Sequence, residues 1–225
     1  MKTKVFCVAA VALLAASSTA SAALITFNTR ATFDAQAGVL PIETFEEGNI
    51  AAGAVAPCPS PLSSASNNGC FATGDILPGL TLDSSTARPT DGLALAGAGF
   101  GGVPSKTVFA NFFSDSLNLM FSGSSAVGFD LFSQFSNSTI TVSVFGAGDV
   151  LLNSFNIAAT TGGVFFGVIN DAGLITRINL FSLNEQAEGV DNIAFGQQAV
   201  PEPASLALLG AGLLGVARAR RRARS

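Results

Sequence analysis

Between residues 107 and 195 the chain repeats one unit: a short β-prone apolar segment, then a break rich in Gly, Asn, Asp or Ser. The clearest unit is Thr139-Ile-Thr-Val-Ser-Val-Phe145, with Ile140, Val142 and Val144 on one face and Thr139, Thr141 and Ser143 on the other. Side chains alternate between faces along a strand, so this is the pattern of an antiparallel strand with one buried and one wet face. Segments 107–112, 117–121, 126–132, 150–157, 164–169, 175–182 and 190–195 repeat it less cleanly, at roughly 10- to 15-residue intervals. No long helical periodicity intervenes. Such a chain is expected to be all-β, folding as an antiparallel β-sandwich of jelly-roll-like form.

Upstream the signals are weaker. Residues 24–27 read as a short strand. Residues 29–38 read as one short N-terminal helix, with Thr29 as N-cap and Gly38 as its stop. Residues 40–46 return to strand and carry Glu43 and Glu46. Two loose stretches rich in Gly, Pro, Ser and Asn follow, at 48–79 and 83–105.

Both ends of the chain carry topogenic signals. Met1-Lys-Thr-Lys4 is a positive start, 5–16 is apolar, and Ala20-Ser-Ala22 has the small residues of a signal-peptidase site. Residues 1–22 are therefore expected to be a signal peptide with an apolar signal helix, and 23–199 the mature domain. Cys7 lies within the apolar run, which argues against a lipid-anchored cysteine. At the other end, Pro201-Glu202-Pro203 ends whatever precedes it, because proline cannot continue a strand or a helix interior. Residues 204–217 form an apolar, helix-compatible run, and Arg218, Arg220, Arg221, Arg222 and Arg224 follow it. A helix of that length rises roughly 21 Å against a hydrocarbon core of about 30 Å, too short for a comfortable permanent span. The arginines would hold the distal end in the cytoplasm.

This three-part tail, 200–225, resembles the PEP-CTERM sorting signal of Gram-negative bacteria, with Pro201, Glu202 and Pro203 at its name-giving motif. The resemblance implies recognition by an exosortase-type membrane protease and transient insertion of the C-terminal helix in the inner membrane. Delivery to the cell surface or an extracellular exopolysaccharide (biofilm) matrix then follows.

The domain itself is acidic. Only Arg30, Arg88, Lys106 and Arg177 oppose fourteen acids, a net charge of −10. Such a surface repels nucleic acid and anionic lipid, so no nucleic-acid partner is expected. His, Trp and Tyr are absent, and Phe supplies all nineteen aromatic residues. Without His, Ser-His-Asp and Cys-His nucleophiles and histidine-ligated zinc are unavailable. Cys58 and Cys70 are the two cysteines of the mature domain, in a compartment that permits disulfides. With no further soft ligand for a metal, they are expected to be bridged.

Gly97-Ala-Gly-Phe-Gly-Gly102 matches a dinucleotide fingerprint, but Val103-Pro104 follows where a helix would have to begin, so it reads as a loop. Glu43-Thr-Phe-Glu46-Glu47-Gly48 and Glu188-Gly-Val-Asp191-Asn192 resemble the first and last strands of galactose-binding-like jelly rolls. In that class these strands pair and often share a structural Ca²⁺. The resemblance implies Glu43, Glu46 and Asp191 as calcium ligands, since hard cations take carboxylate oxygens. The competing expectation is that these acids are solvated edge residues. No other cofactor is expected.

The functional expectation is a secreted, exosortase-processed, non-catalytic surface or matrix protein, with no catalytic residues. The alternative is a carbohydrate-binding or carboxylate-dependent glycan-hydrolysing module, with Glu46 and Asp191 as the acid pair. Ice binding is disfavoured because no regular Thr-x-Thr repeat is present.

Overall fold

A computed structural model describes residues 24–183 and 186–198. The expected signal helix with Ala20 and Ala22, the C-terminal apolar helix, Pro201, Glu202, Pro203 and the five terminal arginines lie outside the described residues.

The elements in chain order are β1 (Leu24–Phe27), α1 (Arg30–Ala37), β2 (Ile42–Glu43), β3 (Val55–Cys58), β4 (Leu62–Ser63), β5 (Leu80–Ser84) and β6 (Leu93–Ala96). The second half adds β7 (Thr107–Ala110), β8 (Leu117–Ser124), β9 (Ala126–Ser133), β10 (Ser138–Phe145), β11 (Leu151–Ala159), β12 (Val164–Asn170), β13 (Ile175–Ser182) and β14 (Glu188–Gly196). One sheet runs β1-β12-β9-β14-β7-β6-β3, with β2 also paired to β14; the other runs β11-β10-β13-β8-β5-β4. All named pairings are antiparallel. The result is the expected jelly-roll-like sandwich.

The core lies between the sheets. Ile140, Val142 and Val144 of β10 enter it, as their alternation requires, beside Leu117 and Leu119 of β8 and Phe129 and Leu131 of β9. The polar face of β10 stays outside, where Thr141 bonds Asn156 and Ser143 bonds Ser154 of β11. β11 itself is an edge strand of nine residues with no charged side chain.

Helix α1 covers part of the first sheet's outer face. Thr29 caps it, accepting from the Thr32 N–H, and Gly38 ends it with its N–H on the Asp34 carbonyl. Its contact with the sheet depends on two glycines paired across β9 and β12, Gly128 and Gly167. A Cβ on either would come within 2.9 Å of the Phe33 ring, so the aromatic ring sits where side chains are missing.

Three upstream expectations differ from the structure. The 40–46 strand is only Ile42–Glu43, because Phe45 turns into the left-handed region at φ 55°. The 48–79 loop contains β3 and β4, pinned by the Cys58–Cys70 disulfide. The 83–105 stretch contains β6, whose Leu-Ala-Leu-Ala is buried on both faces and so shows no alternation of polarity. Leu93 and Leu95 enter the main core, while Ala96 lies under the 97–106 loop with Val103 and Phe109.

The sandwich has two distinct ends. At one, the terminal pole, β1 starts with Leu24 opposite Asn170, and β14 finishes with Gly196 opposite Ala126. At the other, the loop pole, β9 ends where β14 begins, Ser133 opposite Glu188. The 111–116, 134–137 and 160–163 connections gather there.

Candidate functional site

The acids of the metal expectation stand on β2 (Glu43), in the turn after it (Glu46) and on β14 (Asp191). β2 and β14 do pair, as the resemblance implied, with Glu43 opposite Ile193. Their acids nevertheless diverge. Glu43 follows Ile193 toward the inter-sheet core, and its two oxygens accept from the N–H groups of Phe45 at 2.8 Å and Leu77 at 2.7 Å. It ties the 43–48 turn to the loop before β5, and burial raises its carboxyl above the ordinary range.

Asp191 lies on the outer face, opposite Asp130. It accepts from Ser105 Oγ, from the Asn192 N–H at 2.6 Å and from Asn192 Nδ2 at 3.1 Å. Burial pushes its carboxyl up to about 7; Ser105 and Asn192 oppose the rise, and Asp130 and Glu46 add to it. Glu46 is near enough to act on Asp191 but is engaged with Lys106, whose N–H donates at 3.1 Å and whose Nζ lies 4.0 Å away. Glu43, Glu46 and Asp191 are thus not brought together as a donor set. Among the described residues, no three Asp, Glu, Cys or His side chains are grouped to hold a metal ion.

Among the described residues, two surfaces with clustered phenylalanines stand out as able to receive a ligand. A cleft of about 550 Å³ opens on the flank of the sandwich where β1 and β12 face β11. Phe27, Phe155, Ile157, Phe165 and Phe166 line it, with Thr26 and Asn28 at its polar rim. Its rings are extensions of the core: Phe155 and Phe166 pack at 5.6 Å, and Phe166 meets Phe129 at 5.7 Å. The cleft is the gap that remains where a four-residue strand faces a nine-residue one.

The loop pole is built differently. Phe100, Phe113 and Phe135 come from three separate connections and meet there, with Phe100–Phe135 centroids 6.1 Å apart and Phe113–Phe135 6.2 Å apart. Phe135 is 59% exposed and Phe113 40% exposed. Phe135 also holds φ at 66°. A left-handed backbone costs a bulky residue about 1–3 kcal/mol, and burial does little to offset that here. The other three non-glycine residues with positive φ have local reasons: Phe45 is buried, Asp149 pairs with Arg177, and Asn192 bridges Asp191 and Asp130.

Firm supports stand behind the rings. The Arg88 guanidinium lies 3.7 Å from the centroid of Phe112, and its Nε donates to buried Asp115 at 2.8 Å. Thr86 Oγ1 donates to the other Asp115 oxygen at 2.7 Å. Gln134 is buried beside Gly101 of the glycine-rich loop, where the expected loop carries a short 3₁₀ turn, Phe100–Gly102. Below them, Glu188 is fully buried; one oxygen accepts from the Leu117 N–H, and the other has no partner among the described residues. Burial pushes this carboxyl up to about 9, so it is uncharged at neutral pH. The pole therefore presents aromatic surface in front of two carboxyls, Asp115 and Glu188, that are withdrawn from solvent.

None of these three phenylalanines stood out in the sequence. A usable signal existed: each sits among turn-formers and outside any alternating segment, in Gly-Phe-Gly-Gly, Phe-Phe-Ser-Asp and Gln-Phe-Ser-Asn.

Among curated proteins, none matches this sequence. Solved structures give loose superpositions. One is the carbohydrate-binding module CBM6cm-2 of Cellvibrio mixtus lichenase 5A in complex with cellotriose: 14% identity, TM-score 0.32, covering 48% of this chain and 88% of the module. A family 6 carbohydrate-binding module gives 13% identity and TM-score 0.32, covering 63% and 95%. The enzymatically active domain of tailspike protein 4 of bacteriophage CBA120 gives 10% and 0.28, covering 67% and 21%. Superpositions this loose add nothing to what the geometry itself shows. The tail is another matter: residues 199–222 are a PEP-CTERM protein-sorting motif.

Proposed function

We propose that this is an exported, non-catalytic protein of the cell surface or exopolysaccharide matrix, which makes contact with that matrix through the loop-pole rings. The sorting motif supports the address: a membrane protease of the exosortase type handles the tail, after signal peptidase has removed the leader. The observation that carries the contact surface is Phe135, an exposed aromatic residue held in a strained backbone between two other rings. Strain kept at a surface position where folding gains little is a mark of function. Phe faces can stack on the apolar faces of sugar rings, although they bring no hydroxyl or indole N–H for selective hydrogen bonding. A broad, weakly selective affinity for polysaccharide follows, in place of lectin-like recognition of one sugar.

The test is retention on the organism's own exopolysaccharide. Phe113→Ala with Phe135→Ala should leave the melting temperature within a few degrees and lower retention about tenfold, the effect of roughly 1.4 kcal/mol. Phe155→Ala in the flank cleft should leave retention unchanged. Undiminished retention of the double variant would overturn the loop-pole reading, and loss in Phe155→Ala alone would move the contact to the cleft.

A further inference from the structure

Both membrane-directed segments of the chain leave the folded domain from the same pole. β1 starts at Leu24 and β14 ends at Gly196, and between them lie only β12 and β9. Three strand spacings put the two exits about 14 Å apart laterally. Gln198, the last described residue, is fixed against this pole, its N–H bonded to Ser125 Oγ. From Gln198 to Ala204, where the apolar run of the tail begins, six residues reach at most about 21 Å. From Ala16, where the apolar run of the leader ends, to Leu24, eight residues reach at most about 28 Å. Either segment alone, once in a bilayer, holds this pole within those distances of the lipid.

The same pole carries much of the domain's exposed aliphatic surface. Val150 and Leu151 stand 60% and 54% exposed at the β10–β11 turn, and Leu174 is 41% exposed in the β12–β13 turn. Val39, fully exposed, sits next to Leu40, which packs by the end of β14. The turn's charge is balanced locally, since Asp149 is clasped by Arg177, with both guanidinium bonds at 2.8 and 2.9 Å. The β12–β13 turn adds one exposed acid, Asp171, beside Leu174; apolar tips with so little charge around them suit a headgroup boundary better than open water.

We infer that the terminal pole is the membrane-facing surface of the tethered protein, resting Val39, Val150, Leu151 and Leu174 on the lipid and holding the loop pole away from it. The inference rests on the tail acting as a temporary tether, and the test separates the two. The natural sequence contains no Trp, so a single introduced Trp reports alone. Leu151→Trp, Leu174→Trp and Leu183→Trp proteins, with the leader removed and the tail retained, are reconstituted into phosphatidylethanolamine–phosphatidylcholine vesicles containing brominated lipid. Leu183 is exposed just beyond β13 at the loop pole. The expected result is flotation of all three, with bromine quenching at least about twofold stronger at 151 and 174 than at 183. Flotation with equal quenching, or with stronger quenching at 183, overturns the orientation alone. Failure to float overturns the tether, and the orientation with it.

Discussion

Each of the domain's four cations is spoken for: Arg30 by Asp130, Arg88 by Asp115, Lys106 by Glu46 and Arg177 by Asp149. Three of them also lie over a phenylalanine, Arg30 on Phe165, Arg88 on Phe112 and Arg177 on Phe145. In so acidic a chain, the few positive charges act as fasteners between loops and strands. The buried acids act in the opposite sense on stability. Glu188 ionises near 4.5 when unfolded and near 9 when folded. Below 4.5 both states are protonated and its contribution is fully present; as pH rises toward 9 the unfolded state alone loses its proton, and the contribution is lost. The loss is at most about 1.4 kcal/mol per pH unit for one group. Glu188→Gln should therefore flatten the fall in melting temperature between about pH 7 and pH 9, a window above the value of about 7 at Asp191. An unchanged slope in thermal scans would show that the carboxyl ionises freely in the fold.

At the level of elements, legibility followed contrast. β10 and β13 could be read almost residue for residue, because one face is apolar and the other polar. Helix α1 was readable from Thr29 and Gly38, since capping chemistry is local. β6 was not readable, because a strand buried on both faces carries no alternation, and β3 and β4 were hidden in a turn-rich stretch. The site shows the same division. Pairing of β2 with β14 was foreseen, yet the faces on which Glu43 and Asp191 stand depend on a register shift between Asp191 and Ala194 that no local pattern announces. The disulfide was foreseen and ties the end of β3 to the loop at Cys70, with Cα atoms 6.0 Å apart. Closing that short loop should contribute about 3 kcal/mol. Cys58→Ser with Cys70→Ser is expected to lower the melting temperature by roughly 6 to 12 °C, measured by calorimetry. A shift under about 2 °C would mean that β3 and β6 hold this corner unaided.

For the molecule as a whole, two opposite electrostatic characters share one chain. The domain carries −10, and the tail carries five arginines within its last eight residues. We propose that their charge serves topology, since positive ends stay cytoplasmic. Glu202→Ala should leave the protein uncleaved in the membrane fraction, seen as a heavier band on fractionation; normal release of the variant would remove the motif's central acid from recognition. Beyond processing, the unguarded strand β11 sets a limit on how copies can join. The other sheet edges are short or interrupted: β1 has four residues, β4 has two, and β3 contains Pro57. Only β11, among the described strands, offers a long uncharged rim of free backbone groups. One such rim per copy is a valence of one. Two copies that met through it by a two-fold axis would satisfy each other's backbone and close, so pairing through this rim could build a dimer and not a fibre.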